Sequence, residues 1–185
     1  MLKLQIHPDV VDKLVRELRR AGRREIGGVL VGEHIGRNTF RIVDLSIQRH
    51  GGERACFVRE PQHHKRFLDA FYARTGDDYR RFNYLGEWHS HPSFTTDPSS
   101  TDVRQMTRIV TDDPEARSFA VLVIVRLGEA DILQIDGFGF RADHQPDVAE
   151  IEQCPRPDGD PRAEAPDWWA RVFGPPRVKP VVRFI

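Results

Sequence analysis

His89 and His91, one residue apart and followed by Pro92, constrain this chain's fold more than any other feature, because Ser99-x-x-Asp102 follows after a gap of seven residues. Phe82-Asn83-Tyr84-Leu85 leads into the pair as an aromatic, extended stretch, which places both histidines at the end of a strand. Alternation along a strand sets two such residues on one face, with Cα atoms ~6.6 Å apart. Trp88 and Ser90 then face the other way. Pro92 stops the ladder because it has no N–H to donate. Ser93 to Pro98 reads as a polar loop. Ser99 opens a helix carried by Val103, Met106, Ile109 and Val110 at helical spacing. Asp102 falls in its first turn and can swing back toward the histidines. Two imidazoles and one carboxylate converging on a point are a ligand set for zinc, and they leave one tetrahedral position open for chemistry. The same residues admit a plainer role. Ser99-x-x-Asp102 has the form of a helix capping box, and capping is compatible with ligation.

Hydrolysis at such a centre also needs a general base. Glu87 lies two residues before His89 and shares its face, as a further ligand or as a partner that orients an imidazole. Glu25 stands ahead of Ile26-Gly27-Gly28-Val29-Leu30-Val31-Gly32, an apolar run that reads as a buried strand. It is otherwise a surface carboxylate in the charged patch Arg23-Arg24-Glu25. Spacing and periodicity do not choose between the two glutamates.

Glu25-Ile-Gly-Gly-Val-Leu-Val-Gly, then His89-Ser-His-Pro, then Ser99-x-x-Asp102, resembles the JAMM (MPN-plus, JAB-domain) zinc metalloprotease family, in the manner of its prokaryotic deubiquitinase-like members. The resemblance covers about residues 1 to 140 and fills each motif position without substitution. It implies an α+β fold, an α/β/α sandwich with a mixed, mostly antiparallel central sheet flanked by helices. It implies that His89, His91 and Asp102 ligate Zn2+, that Glu25 is the base that later protonates the leaving amine, and that Ser99 hydrogen-bonds the oxyanion. The implied reaction is cleavage after the C-terminal glycine of a ubiquitin-like modifier joined to a target, in a bacterial conjugation system such as one serving phage defence. A second implied role is maturation of a sulfur-carrier or ubiquitin-like precursor, and a third, of another class, is a non-catalytic MPN-type scaffold. The implied partner is a ubiquitin-like or sulfur-carrier protein with a Gly-terminated tail, expected to lie extended beside the motif strand. Only sixteen residues separate Asp102 from the strand beginning at Phe119, so the long second insertion of the ubiquitin-cleaving enzymes has no counterpart here.

Composition excludes several other classes. The 28 basic and 28 acidic side chains balance, which argues against a nucleic-acid partner. No apolar run approaches the ~20 residues of a membrane span, and the start of the chain has no signal-peptide core. Cys56 and Cys154 form no C-x-x-C pair and read as reduced thiols, so the expected location is cytoplasmic. A zinc deaminase would require H-x-E with P-C-x-x-C, and no P-C-x-x-C occurs. His63 and His64, adjacent on a helix, point about 100° apart and read as helix-packing or exposed residues rather than a second metal site.

The remaining pattern alternates helices and strands. Strands are expected at Leu2–Ile6, Ile26–Glu33, Phe40–Gln48, Cys56–Val58, Ser118–Leu127 and Ile132–Phe140, with helices at Pro8–Ala21 and Pro61–Ala73. Residues 1–140 form the expected catalytic domain. Eight of the thirteen prolines fall in 141–185, which reads as a Pro-rich extension. Its Trp168-Trp169, Phe173 and Val181-Val182 are apolar enough to dock on the domain or on a partner.

Overall fold

In the computed structural model, which describes residues 1–49, 61–112, 118–128 and 132–155 and the strand backbones at 52–53, 56–57 and 182–184, one sheet organises the chain. In chain order the elements are β1 (Leu2–Ile6), α1 (Pro8–Ala21), β2 (Gly27–Gly36), β3 (Thr39–Leu45), β4 (Gly52–Glu53), β5 (Cys56–Phe57) and α2 (Pro61–Arg74). They continue as β6 (Phe82–Ser90), α3 (Ser100–Thr111), β7 (Ala120–Leu127), β8 (Leu133–Phe140), β9 (Asp147–Gln153) and β10 (Val182–Phe184). The main sheet runs β10-β8-β7-β6-β2-β3-β1-β9, and β4 and β5 form a separate two-stranded ladder.

The expected α+β class and mixed sheet are present, but the open sandwich needs correction. β9 pairs parallel with β1 and antiparallel with β8, so the sheet closes on itself like a barrel. Nor is it mostly antiparallel by strand pairs. Among the described residues β1–β3, β1–β9, β6–β7 and β8–β10 are parallel, against β2–β3, β2–β6, β7–β8 and β8–β9. Closure needs close approach. A Cβ on Gly137 of β8 would meet Leu4 Cδ1 at 2.8 Å and Ile151 Cδ1 at 2.9 Å, so any larger residue there would push these two side-chain ends aside. The stretch beyond 140, expected as a docked extension, thus starts with a strand of the same sheet, and Ala149 and Ile151 of β9 belong to the core. Val58, Trp168-Trp169, Phe173, Val181 and Ile185 lie outside the described residues.

Helix α1 forms where the pattern places it. His7 caps it through Nδ1, Pro8 sits at the first position, and Gly22 ends it at φ 62°, a conformation that glycine adopts without strain. Val10, Val11, Leu14, Val15 and Leu18 bury one face against the larger core with Trp88, Val121, Val123 and Val125. A smaller core lies on the opposite face of β7. There Met106 and Val110 of α3 pack on Ala120, Leu122, Ile124, Phe138 and Phe140. The His89 end of β6 opens onto this second face, because His89 pairs in register with Ile124 while Trp88 pairs with Val123.

Candidate metal centre

β6 is a central strand, held by β2 on one edge and β7 on the other. Its alternation sends Trp88 into the larger core, where Nε1 donates to the Ser46 carbonyl at 2.9 Å. Ser90 faces the same way and its Oγ accepts from the Ile26 N–H at 3.0 Å. His89 and His91 face the other way, and their Nε2 atoms stand 3.0 Å apart. Both edges of β6 are filled, so a substrate backbone cannot add to it. The expected pairing of a substrate tail with the motif strand is therefore corrected: the His89 end of β6 has no free edge to offer one.

Asp102 reaches the histidines from α3. Its Oδ1 lies 3.6 Å from His89 Nε2 and its Oδ2 4.0 Å from His91 Nε2. Ligand atoms bonded to one tetrahedral ion at 2.0–2.1 Å stand about 3.4 Å apart. Separations of 3.0, 3.6 and 4.0 Å bracket that value, so the donor set fits a metal ion. Among the described residues, this is the cluster of histidine and acidic side chains with ligand atoms close enough to share an ion.

The capping reading is also realised. Ser99 is the N-cap of α3: its Oγ accepts from the Asp102 N–H at 3.2 Å, and its own N–H donates to Asp102 Oδ2 at 2.7 Å. The carboxylate is thereby divided. Oδ2 secures the helix start and Oδ1 points to His89. Because Ser99 Oγ uses a lone pair in the cap, its hydroxyl hydrogen stays available to a third partner.

Protonation states suit ligation. His91 Nδ1 lies 2.7 Å from the Thr95 carbonyl oxygen, which can only accept. The proton therefore sits on Nδ1, and the Nε2 lone pair faces the metal position. Burial lowers the pKa of His89 to about 4, with Asp102 pulling it up and His91 pushing it down further. His89 is therefore a neutral imidazole at neutral pH.

Glu25 and Glu87 separate clearly by position. The β2–β6 register sets Gly27 opposite His89, and the Ser90 N–H donates to the Ile26 carbonyl at 2.8 Å, which carries Glu25 to the level of His91. Glu25 is buried and lines a cavity of about 420 Å³ together with His89, His91, Ser99 and Asp102. Burial raises its pKa above the ordinary carboxylate value, the nearby His91 lowers it, and Asp102 raises it again. Glu87, on the same face of β6 but level with Leu122, is not among the cavity's lining residues.

Sequence reasoning missed the rest of the wall. Phe94, Thr95, Asp97, Thr101 and Gln105 also line the cavity, and the half-exposed Phe94 ring stands edge-on to His91 at 6.4 Å. A polar loop between two candidate ligands is a signal that these residues lie nearby, but not of which atoms turn inward. The adjacent pair behaves as expected. His64 is fully buried between Ser46 Oγ (2.7 Å) and Gln48 Oε1 (3.0 Å), and His63 is exposed. Cys154 is a free thiol, and the Cys56 side chain lies outside the described set. None of the described helices is long and apolar enough to cross a membrane.

Comparison with known proteins adds a family match. A family model described as prokaryotic homologs of the JAB domain matches residues 7–136. Two bacterial proteins named CD-NTase/cGAS isopeptidase are similar in sequence. The one from Enterobacter hormaechei subsp. hoffmannii is 28% identical over 128 residues, 65% of this chain and 65% of the relative. The one from Vibrio cholerae is 33% identical over 104 residues, 55% of this chain and 62% of the relative. The chain thus spans just under two thirds of the length of these curated relatives. The solution structure of a Desulfitobacterium hafniense protein superposes with a TM-score of 0.62 at 18% identity, covering 85% of this chain and 97% of that one, a likeness of fold alone.

Proposed function

The chain belongs to the family of prokaryotic JAB-domain homologues, and from that premise we propose that it is a zinc-dependent isopeptidase that removes a ubiquitin-like modifier from its target by cutting after the modifier's C-terminal glycine. The observation that carries this reading is the meeting of His89, His91, Asp102, Glu25 and Ser99 in one cavity. The relatives' name specifies an isopeptide bond on a CD-NTase or cGAS-type protein, and it supports the same class of bond here.

His89, His91 and Asp102 would hold the ion. When bound, zinc supplies Lewis-acid polarisation of the scissile carbonyl and makes water a usable nucleophile near neutral pH. Glu25 is the base in this scheme. Its raised pKa brings it closer to the working pH, where a group both accepts and returns a proton most effectively. It takes the proton from the attacking water and hands it to the departing lysine amine. Ser99, its lone pair engaged in the cap, donates its hydroxyl hydrogen to the oxyanion. Phe94 offers an apolar wall at the mouth, against which a narrow Gly-terminated tail can lie.

The test is hydrolysis of a Gly-terminated β-grasp modifier joined through a lysine side chain, with zinc present or removed by chelation. Zinc-dependent release of the intact modifier supports the proposal. Cleavage of only a linear fusion turns the reading toward precursor maturation, and zinc-replete protein that cuts neither substrate overturns the enzymatic reading in favour of a scaffold.

A further inference from the structure

Asp136 is an odd residue for its place. It sits in β8, opposite Ile124 of β7, which in turn lies opposite His89 of β6. On the same face of β8, Phe138 and Phe140 pack into the α3 core. Burial disfavours a carboxylate there and raises its pKa, as does Asp97, while a hydrogen bond from Thr96 lowers it. That bond runs from Thr96 Oγ1 to Asp136 Oδ2, across forty positions of sequence, and Thr96 itself is 5% exposed.

Thr96 is the neighbour of Thr95, whose carbonyl fixes the His91 tautomer. Residues 92–98 form no regular secondary structure, so that carbonyl is only as steady as the loop's anchors. One anchor is Arg126 Nη1 of β7, which donates to the Phe94 carbonyl at a long 3.4 Å. The other is Asp136, on a strand two ladders from β6 in a closed sheet. The sheet thus sets the distance between the ligand strand and the loop. Resting on the metal-centre reading above, we propose that Asp136 is a positioning residue: through the Thr96 hydroxyl it holds the Thr95 carbonyl against His91 Nδ1, and so keeps the Nε2 lone pair turned to the metal.

The test compares Thr96→Val, Thr96→Ser, Asp136→Ala and Asp136→Asn in the full chain. Zinc affinity is measured by chelator competition, and the His91 tautomer is read from imidazole 15N shifts of the metal-free protein. An outer-shell partner of a ligating histidine typically controls metal affinity ~10–100-fold. Thr96→Val and Asp136→Ala should weaken zinc by that factor and let the Nε2–H tautomer of His91 appear. Thr96→Ser restores the donor and Asp136→Asn keeps an acceptor oxygen, so both should stay within about threefold of the parent. If Asp136→Asn falls as far as Asp136→Ala, the effect is one of charge and the relay is wrong. Unchanged affinity and tautomer in Thr96→Val would also overturn it. Should Asp136→Ala fail to fold, Thr96→Ala against Thr96→Ser carries the comparison. A parent protein that binds no zinc sinks the proposed function instead, and the tautomer comparison still decides the role of Asp136.

Discussion

The two faces of β6 and β7 are made from neighbouring residues and do opposite work. On one face Trp88, Val121, Val123 and Val125 pack against α1 in the larger of the two cores among the described residues. On the other, Leu122 and Ile124 pack under α3, and at the end of the strand His89, His91 and Glu25 replace apolar residues with buried polar ones. Polar groups concealed without full pairing cost stability. The difference teaches that stability here comes chiefly from the α1 side, which leaves the α3 side free to hold groups in states that folding alone would not select.

The largest effect should come from crossing that divide at adjacent positions. Trp88→Ala should cost about 3–5 kcal/mol, read by chemical denaturation of the metal-free protein. His89→Ala, one residue on, should cost the metal-free protein far less, within about 1 kcal/mol, yet abolish tight zinc binding and hydrolysis. Equal losses of stability in the two variants would break the contrast between the faces.

Glu25→Gln sharpens it. Hydrolysis should fall ~10²–10⁴-fold with zinc retained. The sign of the stability change follows from the raised pKa: the folded chain holds the Glu25 proton more tightly than the unfolded one, so this carboxyl disfavours folding increasingly as pH rises from the unfolded value through the folded one. Metal-free Glu25→Gln should therefore melt higher than the parent, with the gap widening as pH rises above the ordinary carboxylate value. A gap that narrows with pH would contradict the burial argument.

Ser99 separates its two roles through substitution chemistry. Glycine is an acceptable N-cap, within a few tenths of a kcal/mol of serine, whereas alanine costs ~1 kcal/mol. Ser99→Gly should keep the melting temperature and lose ~10²–10³-fold in turnover, if the hydroxyl meets the oxyanion as proposed. Normal turnover in Ser99→Gly would confine Ser99 to capping.

The last effect is a pH slope. His89 titrates at about 4 in the folded chain against an ordinary value near 6.5. The stability it contributes is present above ~6.5 and is lost as pH falls toward 4. Across that window the metal-free parent should lose melting temperature relative to His89→Gln as the pH drops.

Much of the site was legible because strand alternation and a capping pattern are local rules. The i, i+2 histidines and the first-turn aspartate needed no knowledge of the fold, and α1 spans the Pro8–Ala21 range expected of it. What stayed hidden depends on long-range register. Glu25 enters the cavity because the β2–β6 register sets Gly27 opposite His89, while Glu87 lies farther from the cavity on β6 itself. Closure of the sheet was invisible for a similar reason. In β9 only Ala149 and Ile151 are buried, too short an alternation to mark a strand next to so many prolines. The Thr96–Asp136 bond joins a loop to a strand forty positions away, and nothing local marks either partner.

That closing strand bears on how the molecule can be handled. A chain cut at the expected boundary of 140 would strip β1 of β9, one of its two parallel neighbours, and leave a row of amide and carbonyl groups bare along the seam. Such a seam recruits other copies, so the shortened form should clump in solution while its His89, His91 and Asp102 side chains remain intact.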